Sequence, residues 1–202
     1  MKITSIQQQV GKKDFYSIFV DGEYSFSVSE TTLLKKHLVS GQEINEKELG
    51  EFKQISSNDL LYRLSLNYVS RRLKTKGEMK DYLKRKGASP ALITEILNKL
   101  SDIGLLDDNK FIEYYIRDRQ TLHPASKRKI ISDLQKKRIP REIVEEALAT
   151  NPSSDNDALH KIIKSKRLQM KYQDNQKLMQ YLARQGFNYG DIKTAINAQE
   201  EE

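Results

Sequence analysis

The chain has no cysteine and no tryptophan, three histidines, four prolines and nine glycines in 202 residues. Without cysteine there is no disulfide framework, no thiolate metal site and no thiol nucleophile. His37, His123 and His160 are scattered. None has a second histidine or carboxylate at ligand spacing, so no metal and no cofactor is expected. The glycines are spread over turns and form no phosphate-cradling loop. No apolar run approaches the ~20 residues that span a bilayer. The start, Met1-Lys2-Ile3-Thr4-Ser5-Ile6-Gln7-Gln8-Gln9, lacks the apolar centre of a signal peptide. A soluble cytoplasmic protein without a membrane partner is expected, and an enzyme is the weakest functional reading. Asp107-Asp108 is a paired carboxylate, but its place before a helical stripe favours helix capping over acid–base work.

What the chain does have is repetition. Tyr82–Leu97, Asp133–Leu148 and Tyr181–Ile196 align without a gap, at offsets of 51 and 48. Apolar residues recur at Leu83, Leu134 and Leu182, and again at Ile93, Val144 and Ile192. A period near 50 indicates one small helical unit used three times. Each unit reads as three helices. In the first, Leu60, Leu61, Leu64, Tyr68 and Val69 form a stripe ending at Arg71-Arg72. Thr75-Lys76-Gly77-Glu78 is a capping box for the second helix, which Gly87 ends. Ser89 caps the third, with Pro90 at its first position. Phe111, Tyr115 and Arg119 align with Leu64, Tyr68 and Arg72, and Leu159, Ile163 and Arg167 follow. Gly186 matches Gly87, whereas the middle repeat has Arg138 there, so a different turn is expected.

The amino-terminal part alternates. With Asp21-Gly22 as a two-residue type I′ hairpin loop, Phe19 falls opposite Tyr24 and Phe15 opposite Val28. Phe15, Phe19, Tyr24, Phe26 and Val28 then share one face. A weaker strand near Ile3–Val10, joined through the turn at Gly11-Lys12-Lys13-Asp14, completes a three-stranded meander. Ser29 caps a short helix carrying Leu33, Leu34 and Leu38 that stops near Gly41, and Asn45–Glu48 opens another. Ser56-Ser57-Asn58-Asp59 is read as a break before the repeats, and the acidic tail from Gln199 as frayed. The fold expected is mainly α: three tandem, helix-turn-helix-like three-helix repeats in an elongated row behind a small β-meander with short helices. The divisions are 1–57, 58–106, 107–154 and 155–202.

The net charge of +7 is unevenly placed. Residues 1–57 hold 7 basic and 8 acidic side chains, residues 58–150 hold 20 and 13, and residues 151–202 hold 8 and 7. Basic groups recur at matching helix ends: Arg71 and Arg72; Lys84, Arg85 and Lys86; Lys127, Arg128 and Lys129; Lys136, Lys137 and Arg138; Lys164, Lys166 and Arg167. Arg117 and Arg119 join them. Helix-dipole complementarity accounts for one cation per helix end, not three. The recurrence predicts a basic track facing a polyanion or an acidic protein surface, with Tyr68, Tyr114 and Tyr115 near it, read from their helical spacing as core or core-edge residues ahead of base-stacking ones.

Three stretches carry a family signature: Tyr68-Val69-Ser70-Arg71-Arg72, Lys76 to Gly87, and Leu100-Ser101-Asp102-Ile103-Gly104-Leu105-Leu106-Asp107-Asp108-Asn109-Lys110-Phe111. They resemble the RecX family, regulators of the bacterial RecA recombinase. Ile18-Phe19-Val20-Asp21-Gly22-Glu23-Tyr24-Ser25-Phe26 resembles the extra region of its longer, Gram-positive type members. The chain departs from the usual pattern at Ile112 and at His123-Pro124-Ala125-Ser126. The resemblance implies binding along the groove of the RecA–DNA filament. It also implies restraint of ATP hydrolysis, strand exchange and coprotease activity, and so of recombination, DNA repair and the SOS response. It implies no catalytic residue. The runner-up is a direct, nonspecific DNA-binding module for single- or double-stranded DNA. Base-specific reading is disfavoured because the third helix of the middle repeat would present Glu142, Glu145 and Glu146 to phosphate. A monomer is expected.

Overall fold

The computed structural model describes residues 1–150 and 154–200. It divides into two compact bodies: Met1–Arg72 with Lys80–Ile103, and Leu73–Met79 with Gly104–Glu202.

The first body opens with an antiparallel sheet in the order β1-β2-β3: β1 Ile3–Gln9, β2 Lys12–Val20 and β3 Glu23–Ser29. Asp21 (φ 51°) and Gly22 (φ 90°) supply the two positive φ angles of the expected type I′ turn. Phe19 pairs with Tyr24 as expected. Between Ile18 and Phe19 a bulge then shifts the register, so Phe15 meets Ser29 and Tyr16 meets Val28. One extra residue turns the following side chains to the other face. The buried face is therefore Ile3, Ile18, Val20, Phe26 and Val28; of the five residues expected there, Phe15, Phe19 and Tyr24 are not buried. The first turn also lies earlier than expected, with Gln9 paired to Lys12 around Gly11 (φ 81°).

Ser29 caps α1 (Glu30–Lys35), its hydroxyl accepting from the Thr32 amide. This helix stops short of Gly41, because His37 adopts a left-handed φ of 49° and turns Leu38 and Ile44 into the core under the sheet. The Asn45–Glu48 capping box is formed as expected, with bonds of 2.9 and 2.8 Å. It opens α2, which runs from Glu46 to Ser70 without interruption. The break expected at Ser56–Asp59 is absent, and the expected division at 57/58 falls inside this helix. The physical reason is the edge of the sheet. The Ser56 hydroxyl bonds both the amide and the carbonyl of Ser27, and Asp59 accepts from the amide and hydroxyl of Ser29 at 2.8 and 2.7 Å. These polar side chains satisfy the open backbone edge of β3, which would otherwise carry unpaired groups.

Three-helix repeats follow. In the first, α3 is Lys76–Arg85 and α4 is Pro90–Asp102, the latter capped by Ser89 with Pro90 in its first turn. In the second body, α5 (Asp108–Thr121), α6 (Lys127–Lys136) and α7 (Arg141–Thr150) enclose Phe111, Ile112, Ile116, Ile130, Leu134 and Val144. Helices α8 (Asp155–Arg167), α9 (Asn175–Arg184) and α10 (Tyr189–Glu200) enclose Leu159, Ile163, Leu178, Leu182, Phe187 and Ile192. The turn after the second helix is the same in all three repeats. Gly87, Arg138 and Gly186 all adopt left-handed φ angles, of 79°, 65° and 86°. Arg138 therefore does not change the turn, contrary to expectation; it accepts the strain of a non-glycine residue there. Helix α10 reaches Glu200, and the rest of the tail expected to fray, residues 201 and 202, lies outside the described residues.

Two contacts inside the second body follow one rule. The Thr75 hydroxyl accepts from the Glu78 amide at 3.0 Å and donates to the Lys137 carbonyl at 2.7 Å. The Ser126 hydroxyl accepts from the Lys129 amide at 3.1 Å and donates to the Gln185 carbonyl at 2.9 Å. The next amides, Lys76 and Lys127, donate to Asp108 and Asp155 at 2.8 and 2.9 Å. Thr75 and Ser126 are both fully buried. A hydroxyl can accept and donate at once, and a carboxylate can only accept. At the matching place in the third repeat stands Asp174, which is exposed and caps its own helix alone.

Candidate interaction surface

The basic residues singled out above sort into two groups. In the first body Arg71, Arg72, Lys84, Arg85 and Lys86 are all exposed. Arg71 follows the last residue of α2, and Lys84 and Arg85 end α3. The two helix ends are tied by Tyr68 and Tyr82, whose rings stack at 4.2 Å and 4°. The Lys86 ammonium lies 5.9 Å from the Tyr82 centroid. All five cations follow one of these tyrosines within four residues along the chain. The stacking agrees with the core-edge reading of Tyr68, since half-buried stacking occupies one face of each ring.

In the second body Arg117, Arg128, Lys136, Arg138 and Lys164 are exposed. The others serve internal contacts. Lys137 pairs with Glu78 at 3.0 Å, and Lys127 docks through its backbone amide. Arg119 donates to the Tyr115 hydroxyl at 3.0 Å; that hydroxyl donates to Asp133 at 3.1 Å; Lys129 approaches Asp133 at 3.1 Å. Lys166 sits over the rings of Tyr172 and Tyr181 at 5.4 and 4.8 Å. Arg167 donates to the carbonyls of Tyr172 and Gln173 at 3.2 and 2.8 Å, holding the turn before α9. Tyr115 is half-buried, as a core-edge residue should be, but Tyr114 is exposed on α5, so the core-edge expectation fails for it. Sequence recurrence thus marked both surface cations and cations that brace the repeat.

The electrostatics agree with that division. Burial raises the Asp133 pKa, but the hydrogen bond and charge of Lys129 outweigh it, with help from Tyr115 and Lys136, and the carboxyl ends below its usual range. Burial raises the Tyr115 hydroxyl above its usual value against the pull of Arg119. The amides of Lys110 and Lys177 are the main reason that Asp107 and Asp174 titrate below the usual carboxylate range. The Asp107, Asp133 and Asp174 shifts each follow from a hydrogen bond or charge already described, and the Tyr115 shift follows from burial.

On α7 Glu142, Glu145 and Glu146 are exposed, and Arg141 pairs with Glu145 at 2.7 Å. Among the described residues no group of three or more His, Asp or Glu is placed to hold a metal ion. No helix there is long and apolar enough to cross a membrane. The sequence reading missed the double use of the Thr75 and Ser126 hydroxyls. The available signal was a hydroxyl residue at the same offset of 51, followed by an aspartate at 174.

Known proteins match this chain along most of its length. Residues 1–45 match the RecX amino-terminal domain, and residues 62–100, 107–148 and 157–196 match the first, second and third RecX three-helix domains. Regulatory protein RecX of Listeria welshimeri serovar 6b is 32% identical, over 96% of this chain and 74% of its own length. The chain belongs to the RecX family. The RecX of Bacillus licheniformis is 29% identical over 96% of this chain and 76% of its own length. A crystal structure of a regulatory protein RecX superposes with a TM-score of 0.70 at 25% identity, covering 97% of this chain and 98% of that one. RecX from Lactobacillus salivarius gives a TM-score of 0.58 at 26% identity, over 72% and 98%. The RecX three-helix domain models start at residues 62, 107 and 157, and the first of these starts lies within α2.

Proposed function

We propose that this chain is a non-enzymatic cytoplasmic regulator that binds the RecA–DNA filament and restrains its ATPase, strand-exchange and coprotease activities. Membership of a family of named regulators, across the amino-terminal domain and all three helical domains, carries the reading. The chemistry supports it. Arg71, Arg72, Lys84, Arg85 and Lys86 are exposed at the ends of two helices joined by the stacked Tyr68 and Tyr82, and they suit acidic groups of a protein lattice or phosphates. Further exposed cations, such as Arg117, Arg128, Lys136 and Lys164, supply contacts on other repeats. Modest contacts by linked repeats sum to tight binding on a repeating partner.

Direct nonspecific DNA binding is the second reading, and the same exposed cations favour it. The glutamates outward on α7 oppose major-groove reading by that helix. DNA binding alone would fall steeply with salt and be uniform over sequences. The test is charge reversal: with Arg71, Arg72, Lys84, Arg85 and Lys86 all changed to glutamate, co-sedimentation with preassembled RecA–DNA filaments should weaken at least tenfold. Filament binding unchanged in the folded variant would count against this face.

A further inference from the structure

We infer that the exposed turn Lys86-Gly87 is a docking site for the first turn of a helix on the partner protein, a helix that begins Ser/Thr-x-x-Glu. The inference rests on the regulator reading only in taking the partner to be a protein of the RecA filament.

The chain makes this contact twice on its own behalf. In each case the turn after the second helix of a repeat receives the start of another helix. The Lys137 carbonyl receives the Thr75 hydroxyl at 2.7 Å, and the Gln185 carbonyl receives the Ser126 hydroxyl at 2.9 Å. Lys137 also pairs with Glu78, the fourth residue of that capping box, at 3.0 Å. Lys86-Gly87 is the same turn in the first repeat, with the same left-handed residue. Among the described residues no helix start is seated there. A Cβ placed on Gly87 would meet no heavy atom within 4 Å, whereas one on Gly186 would lie 2.5 Å from the Ser126 hydroxyl oxygen. Lys86 and Gly87 are exposed, while Lys137 and Gln185 are half-buried.

The chemistry of the open turn specifies its occupant. Lys86 stands where Lys137 stands, so it is placed to receive a glutamate at the same position of an incoming helix. Lys84 and Arg85 beside it favour an acidic first turn. Close approach needs one glycine per contact: Gly77 faces Arg138 in one, and Gly186 faces Ser126 and Lys129 in the other. The open turn already supplies its glycine, so the incoming helix needs none. The carboxylate that Asp108 and Asp155 supply is replaced by Leu61, so this contact has two polar bonds rather than three. A second copy of this chain is a poor occupant through its exposed third-repeat helix start. That helix begins with Asp174, whose carboxylate has no proton to donate to the Lys86 carbonyl.

The first test needs no recombinase. A synthetic helical peptide copying residues 73–86, with its Thr-Lys-Gly-Glu start, is titrated into the isotope-labelled full chain and followed by amide shifts. Shifts at Lys86 and Gly87 are expected, with affinity about fivefold lower when the peptide threonine is alanine, the worth of one hydrogen bond. No shift there, equal binding by both peptides, or shifts confined to Lys137 and Arg138 would overturn the docking site and leave the regulator reading standing. The second test uses Lys86→Glu combined with Gly87→Arg, a residue this turn already holds at position 138. Filament binding about tenfold weaker is expected. Unchanged filament binding, or a dimer of the native chain abolished by the double change, would overturn the assignment to this partner. A native chain that bound the peptide but not the filament would sink the regulator reading instead.

Discussion

Changing Ser126 isolates the contact that joins one helix start to the turn of another. Its hydroxyl accepts from the Lys129 amide and donates to the Gln185 carbonyl, and the side chain is fully buried. Ser126→Ala removes the helix cap, worth about 1 kcal/mol. It also removes the bond to the carbonyl, about another 1 kcal/mol. The expected loss is thus about 2 kcal/mol, equivalent to a fall in Tm of about 4–8 °C for a chain of this size. Ser126→Asp is the sharper perturbation. Aspartate caps a helix as well as serine does, as Asp174 does in the third repeat. Facing the Gln185 carbonyl, however, it brings a buried charge with no proton to give. It should cost more than alanine, and Ser126→Thr should cost less than about 0.5 kcal/mol, because Thr75 already performs this role. Urea unfolding followed by far-ultraviolet circular dichroism measures all three. An aspartate variant as stable as the native chain, or an alanine variant within about 0.5 kcal/mol of it, would refute the shared-hydroxyl account.

Gly77→Ala should destabilise by about 1–3 kcal/mol, although alanine is the better helix former, because the new Cβ would lie 2.1 Å from the Arg138 Cβ. Thermal unfolding checks the sign. Gly186→Ala should cost more than Gly87→Ala: both sit at positive φ, but only Gly186 has close neighbours, at 2.5 Å and 3.1 Å. Asp107, Asp133 and Asp174 titrate below the usual carboxylate range when folded. Their contribution is therefore complete above about pH 4, the unfolded value, and is lost as pH falls through the lower folded values. Stability measured from pH 5 to 2 should fall, and Asp107→Asn with Asp133→Asn should flatten that fall; an unaltered acid limb would contradict it.

Where local chemistry decides the structure, the residues announced it. Asp21-Gly22 dictated a type I′ turn, Asn45–Glu48 a capping box, and the Leu83, Leu134 and Leu182 register three equal helices. The failures share a cause, which is that tertiary contacts overrode local pattern. The bulge at Ile18/Phe19 is chosen by which residues fill the space under the sheet. Ser56–Asp59 looks like a helix breaker until the edge of β3 lies beside it. Arg138 takes a glycine's conformation, and its Cβ occupies the space that glycine at position 77 leaves empty. The basic positions were legible as a set, but not their division. Lys86 and Lys137 are equivalent in sequence, yet one is exposed and the other is paired with Glu78.

The most direct test of the regulator reading is single-stranded-DNA-dependent ATP hydrolysis by the cognate RecA, titrated with this protein while its own DNA binding is followed in parallel. The account predicts that hydrolysis falls at concentrations well below those at which the protein coats DNA. Hydrolysis unaffected until the DNA is saturated would contradict it, and would mean a protein that competes with RecA for the lattice.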